Sequence, residues 1–154
     1  MDQAERYSHI ACCVDGTDAG GRAVAEARRL RDLTERISVV HVVAPPSLPV
    51  TLAASLGGAA PIDMSTELAA ATAWLGGVAA GLPGAEPVLL EGHPASTACE
   101  WAASSGCELL IAASHSGLVE RALLGSFSGY LAHHAPCPVL LVRPDVLDGG
   151  ADDA

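Results

Sequence analysis

Five short apolar runs, separated by stretches long enough for a helix, constrain this chain more than any other feature. They are 9–14 (HIACCV), 37–43 (ISVVHVV), 87–90 (PVLL), 109–113 (LLIAA) and 139–142 (VLLV). Short apolar runs bounded by Gly, Pro and polar turns read as strands buried on both faces. The first intervening helix is expected from about Ala19 to Leu33, with Val24, Ala27, Leu30 and Leu33 on one face and Arg22, Glu26, Arg29 and Asp32 off it. Thr17 or Asp18 is its candidate cap, and Gly20-Gly21 weakens its first turn. A second helix is expected from about Asp63 to Val78, ended by Gly81-Leu82-Pro83-Gly84. A third is capped by Ser96 and runs to about Ser105, and a fourth opens at Gly125-Ser126. The segment Ser47 to Pro61 mixes Pro, Gly and small residues and reads as a mobile loop, the place for a lid. Strands alternating with helices dictate an α/β fold, an open five-stranded parallel sheet with helices on both faces joined by right-handed crossovers.

Composition narrows the class further. The 154 residues suit one domain, 1–144, followed by a tail, 145–154, whose Asp145, Asp148, Asp152 and Asp153 predict disorder. Half the residues are apolar, yet the aromatics are only two Trp, two Tyr and one Phe, so the core must be Ala, Val, Leu and Ile. A net charge of −10 excludes a nucleic-acid partner, and scarce aromatics remove stacking platforms for single strands. No apolar run approaches the roughly 20 residues that span a bilayer, and the opening MDQAERYSHI lacks a secretory signal pattern. Cys12, Cys13, Cys99, Cys107 and Cys137 are odd in number and show no C-x-x-C spacing. They read as reduced thiols packing as small hydrophobes, in a cytoplasmic setting without membrane.

In open α/β sheets a ligand crevice forms beyond the strand C-termini. The polar residues expected there are Asp15, the segment after Val43, Glu91-Gly92-His93, and Ser114-His115. The stretch 109–143 is the richest, because a strand, a small-residue loop and a helix N-terminus together make an anion site. Ser126 with the amides of Phe127 and Ser128 is the candidate phosphate anchor, and equally an ordinary helix start. Asp15 is either a ligand contact or the cap of the following helix. His41 reads as a core-edge strand residue. His133-His134 beside Cys137 lack the further ligands a tetrahedral zinc site needs. No G-x-S-x-G elbow, paired catalytic carboxylates or P-loop lysine is present. Ser126 has no visible base, and Arg121 is the only basic residue expected near the loop. Such a site holds a ligand and does not turn it over quickly; slow ATP hydrolysis is the remaining enzymatic reading.

Taken together, these segments resemble the universal stress protein family. The residues that carry the resemblance are Val14-Asp15-Gly16-Thr17, Val40-His41-Val42-Val43, Gly92-His93-Pro94-Ala95, Gly125-Ser126-Phe127-Ser128 and the closing run His134 to Arg143. It covers roughly residues 8 to 143, and its last block is the specific one. It implies a single Rossmann-like domain of the adenine-nucleotide alpha-hydrolase type, with strand order 3-2-1-4-5. It also implies a homodimer through the last strand, Val139, Leu140, Leu141 and Val142. The ligand it implies is ATP or another adenine nucleotide, with magnesium as a candidate companion, held by Val14, Asp15, Val42, Ala112, Ser114, His115, Gly125, Ser126 and Phe127. The family's nucleotide-binding branch has G-x2-G-x9-G-S/T, and here the first two glycines are Ala112 and His115. Ala112 adds one methyl, tolerable at negative φ, whereas His115 either fills the phosphate space or swings aside to donate a hydrogen bond to an anion. The competing reading is therefore the branch that binds no nucleotide and acts through dimerisation, protein interaction or another small molecule.

Overall fold

The computed structural model describes residues 6–58, 60, 63–114 and 126–143. Strand β1 (Tyr7–Cys13) leads into helix α1 (Asp18–Arg29), a 3-10 turn (Arg31–Leu33) and strand β2 (Thr34–Val43). Helices α2 (Leu48–Ser55) and α3 (Met64–Ala80) follow, then β3 (Ala85–Glu91), α4 (Pro94–Ser105), β4 (Leu109–Ala113), α5 (Ser126–His134) and β5 (Val139–Val142). The five strands form one parallel sheet in the order β3-β2-β1-β4-β5, as the resemblance implied. Its register pairs Ile10 with Ile37 and Leu109, and Leu110 with Val139.

Alternation along the strands builds two cores. Ile10, Cys12, Ile37, Val39, Leu109 and Ile111 point to the face covered by α1 and α3, where Ala23, Ala27, Leu75 and Ala79 meet them. Ala11, Cys13, Val40, Leu110 and Ala112 point to the opposite face, under Ala98 and Ala102 of α4 and Leu131 of α5. Small helix residues let the backbones approach the sheet closely, which is how so few aromatics suffice. The crossing from β1 to the outer strands puts the reversal of strand order between β1 and β4.

Several expected boundaries move, each for a local reason. Residues 47–61 were expected as a loop, but Leu48–Ser55 is helical, with Ser47 extended before it and Pro49 in its first turn, where a missing N–H costs nothing. No residue of α2 is buried, so its apolar side chains Leu48 and Leu52 stand in solvent. Helix α1 stops at Arg29 because Arg31 donates to the carbonyls of Pro83 (2.6 Å) and Thr34 (3.1 Å), pinning the next turn to the α3–β3 connection. Thr17 precedes α1 but makes no side-chain cap, and Ser96 lies inside α4, which opens at Pro94 after His93. Asp63 does cap α3, accepting from the Ser65 amide at 3.0 Å. Strands β1, β2 and β3 each outrun their apolar cores, since ladder partners such as Tyr7–Thr34 and Val43–Glu91 extend them. The expected acidic tail, 145–154, lies outside the described residues.

A polar pair, His9 and Ser38, is buried toward the N-terminal end of the sheet. His9 is 2% exposed, with Nε2 2.8 Å from Ser38 Oγ and Nδ1 3.4 Å from the Ser105 carbonyl. A carbonyl can only accept, so Nδ1–H donates to it and Nε2 takes the Ser38 hydroxyl. The ring meets Trp101 edge-on at 5.6 Å. Burial, seconded by the Arg36 guanidinium, pushes the His9 pKa below its ordinary value and keeps the imidazole neutral.

Candidate ligand site

A cavity of about 490 Å³ opens at the C-terminal ends of β1, β2 and β4. Its floor is Val14, Val40, Val42 and Ala112, its side walls are Pro94 and Ala98 of α4, and Ser126, Phe127 and Ser128 of α5 close the far side. Of the predicted residues, Val14, Asp15, Val42, Ala112, Ser126 and Phe127 are thus brought together. Ser114 sits just past β4, its amide bonded to the Val142 carbonyl at 3.0 Å, and does not line the cavity. His115 and Gly125 lie outside the described residues, as does Arg121.

Each wall has a local cause. Gly16 adopts φ +83°, the left-handed region that lets the chain turn sharply after β1. Asp15 Oδ1 then accepts from the Thr17 amide (3.0 Å) and hydroxyl (2.6 Å), so the carboxylate braces the turn at the cavity rim. Gly20 follows; a β-carbon there would stand 3.4 Å from Asp15 Oδ1, so a small residue lets α1 come up against the carboxylate. Asp15 thus orders the turn that leads into α1 and also lines the cavity. Gly92 plays the matching part after β3, with φ +144° and its amide bonded to the Val43 carbonyl at 3.0 Å. A β-carbon there would collide with Thr97 Oγ1.

Ala112 is buried within β4, and no described non-glycine residue has positive φ, so its methyl is accommodated without backbone strain. It narrows the floor by one methyl group. On α5, the amides of Ser126, Phe127 and Ser128 belong to the first turn, whose N–H groups have no partner within the helix. They carry the positive end of the helix dipole.

Sequence reasoning missed two neighbours. Arg22, placed off the apolar face of α1, reaches across to the Ser114 carbonyl at 2.8 Å. Its buried Nε has no partner among the described residues. A cation that sequence reasoning did not place there, Arg22, thus stands at Ser114, where β4 has just ended. The available signal was Arg22 standing alone among the small and apolar residues 19–25. His41, read as a core-edge residue, also lines the cavity, with Nδ1 2.8 Å from the Val14 carbonyl and Trp74 edge-on at 5.0 Å. Among the described residues no group of three His, Cys, Asp or Glu side chains could hold a metal ion, and no helix is long and apolar enough to cross a membrane.

The model of the universal stress protein family matches residues 6–143. The chain belongs to the universal stress protein family. Solved members share its fold. Universal stress protein UspA from Lactobacillus plantarum superposes with a TM-score of 0.64 at 23% identity, over 90% of this chain and 99% of that one. A universal stress protein in complex with cAMP gives 0.58 at 21% identity, over 89% and 97%. A universal stress protein family member from Arabidopsis thaliana with AMP bound gives 0.60 at 16% identity, over 94% and 97%. Comparison with curated protein sequences gives no match. For this universal stress protein the family's closing signature falls on α5 and β5, and α5 closes the cavity's far side.

Proposed function

We propose that the protein is a small regulatory module that binds an adenine nucleotide in the cavity at the strand ends. One observation carries the reading: apolar walls sized for a nucleoside have a carboxylate at one side and a helix N-terminus at the other. The base would lie over Val14, Val40 and Val42, the ribose hydroxyls beside Asp15, and the phosphates toward Ser126 and Phe127. The solved members with AMP and cAMP support that class of ligand. The chain contains no lysine, so positive charge for the phosphates comes from helix α5 and arginine. Magnesium would arrive on the phosphates of ATP.

The module holds its ligand and does not turn it over. Phosphate release above the buffer rate would contradict that and revive slow hydrolysis. It works in the cytoplasm, a reading supported by five free cysteines. It forms a homodimer through β5, the sheet edge, where Val139, Leu140, Leu141 and Val142 are all half-buried; sedimentation at the mass of one chain would contradict that. Titration calorimetry with AMP, ADP and ATP tests the main reading, and absence of heat at millimolar nucleotide defeats it.

Ala112 and His115, in place of the two motif glycines, favour a second reading in which the cavity takes another small molecule. On that reading, Ala112→Gly with His115→Gly creates ATP binding where the parent has none. Unchanged behaviour of the double variant counts against it.

A further inference from the structure

The α4–α5 face of the sheet gathers four thiols, Cys13, Cys99, Cys107 and Cys137, all free. Two of them stand together. Cys107 precedes β4 and Cys137 precedes β5, neighbouring parallel strands in which Leu110 pairs with Val139. The Leu110 amide bonds to the Pro138 carbonyl at 3.0 Å, so the register persists toward the strand starts. Continued two residues back, it sets Cys137 opposite Glu108 and one position from Cys107. A disulfide needs Cα atoms about 4.4–6.8 Å apart, a window that includes the spacing of about 4.8 Å between neighbouring strands, and both side chains belong to the cluster on this one face. The two thiols are close enough to influence each other, while the Cys107 thiol donates its single hydrogen to the Leu109 carbonyl at 3.2 Å. Cys107 is 7% exposed, whereas Cys137 is open to solvent in part.

We propose that Cys107 and Cys137 are an oxidisable thiol pair, which a peroxide converts into an intramolecular disulfide. The Cys137 thiolate, its proton released to water, attacks one peroxide oxygen. The O–O bond breaks, and the departing hydroxide takes up a proton to leave as water and Cys137 sulfenic acid. Cys107 Sγ then attacks Cys137 Sγ, the S–O bond breaks, and the leaving hydroxide carries off the Cys107 proton as a second water. Two thiols are oxidised by two electrons and one peroxide is reduced. Burial raises both thiols, Cys107 to about 12, so the reaction is slow and responds to sustained oxidant.

The bond would close residues 107–137 into a loop. That loop contains all of β4 and α5, hence Ala112, Ser126 and Phe127 of the cavity. Oxidation would thus staple the ends of the segment that carries half the ligand site, whatever ligand it takes. The other thiols are less suited: Cys12 and Cys13 point to opposite faces of β1, and Cys99 lies on α4, away from the strand pairing.

The test is to treat the reduced full-length protein under native conditions with hydrogen peroxide and, separately, with diamide. The intact monomer should lose two hydrogens, regained with dithiothreitol. Cleavage after Glu91, Glu100 and Glu108 puts Cys99 and Cys107 in different peptides, so the linked partner of the Cys137 peptide is unambiguous. The expected partner is Cys107, with a rise in thermal midpoint of about 5–10 °C. Cys99→Ser should leave the cross-link intact, and Cys107→Ser or Cys137→Ser should abolish it. A Cys99–Cys137 linkage, dimers linked between chains as the only product, or no mass loss with either oxidant would overturn the proposal.

Discussion

The two ends of the sheet handle polar groups in opposite ways. At the strand N-termini, His9 is enclosed and both ring nitrogens are engaged, by Ser38 and Ser105. At the C-termini, Asp15 and the first turn of α5 border open space between apolar walls. A buried polar group left unpaired costs about 1–3 kcal/mol, so the protein completes such groups internally where nothing else will arrive. Where first-turn amides border a cavity, the proposed ligand would complete them. On that reading the lower end holds the fold together and the upper end receives.

That contrast can be broken by mutation. His9→Ala should have the largest effect, about 3 kcal/mol of stability from the lost imidazole packing and the stranded Ser38 hydroxyl. Thermal denaturation reads it, and calorimetry should show nucleotide affinity unchanged; a matching loss of affinity would mean the ends are not separate. Gly92→Ala comes next, at about 2 kcal/mol, because its positive φ and the Thr97 contact leave no room for a methyl. It belongs to the upper end, so both stability and affinity should fall. Asp15→Ala should weaken AMP binding about tenfold, equivalent to about 1.4 kcal/mol, while circular dichroism shows an intact fold. Equal affinity in this variant would reduce Asp15 to a brace for its turn.

The smallest effect sharpens the contrast through pH. The folded His9 pKa lies below the unfolded value of about 6.5. The unfolded chain therefore binds the proton first as pH falls. Stability should be fully present above about pH 6.5 and decline through the window between that value and the lower folded one. His9→Gln should flatten the dependence in denaturant titrations; an unchanged slope would assign it to other groups.

The fold was legible because burial on both faces leaves its mark as continuous apolar runs, and β4 and β5 match theirs end to end. Helix α2 was not legible: its residues, Pro49 among them, carry no polar face, and helicity there rests on backbone geometry, with no packing to reveal it. Asp15, Val42, Ser126 and Phe127, which line the cavity, were named as candidates through motif spacing tied to strand and helix ends. Arg22 was not, because its contact runs from the second turn of one helix to a carbonyl 92 residues away, and only the closed sheet brings them together. His41 escaped for a similar reason, since its ring turns toward the end of a neighbouring strand.

The small residues around the cavity have a further consequence. Ala98 and Ala112 present a single methyl each to the guest, and glycine at position 20 presents none. At those three points the wall has no rotamer with which to adapt, so there the recess selects by outline. On the proposed reading, a bulky addition to the purine ring facing those points would be refused by geometry, and making room would require moving the backbone.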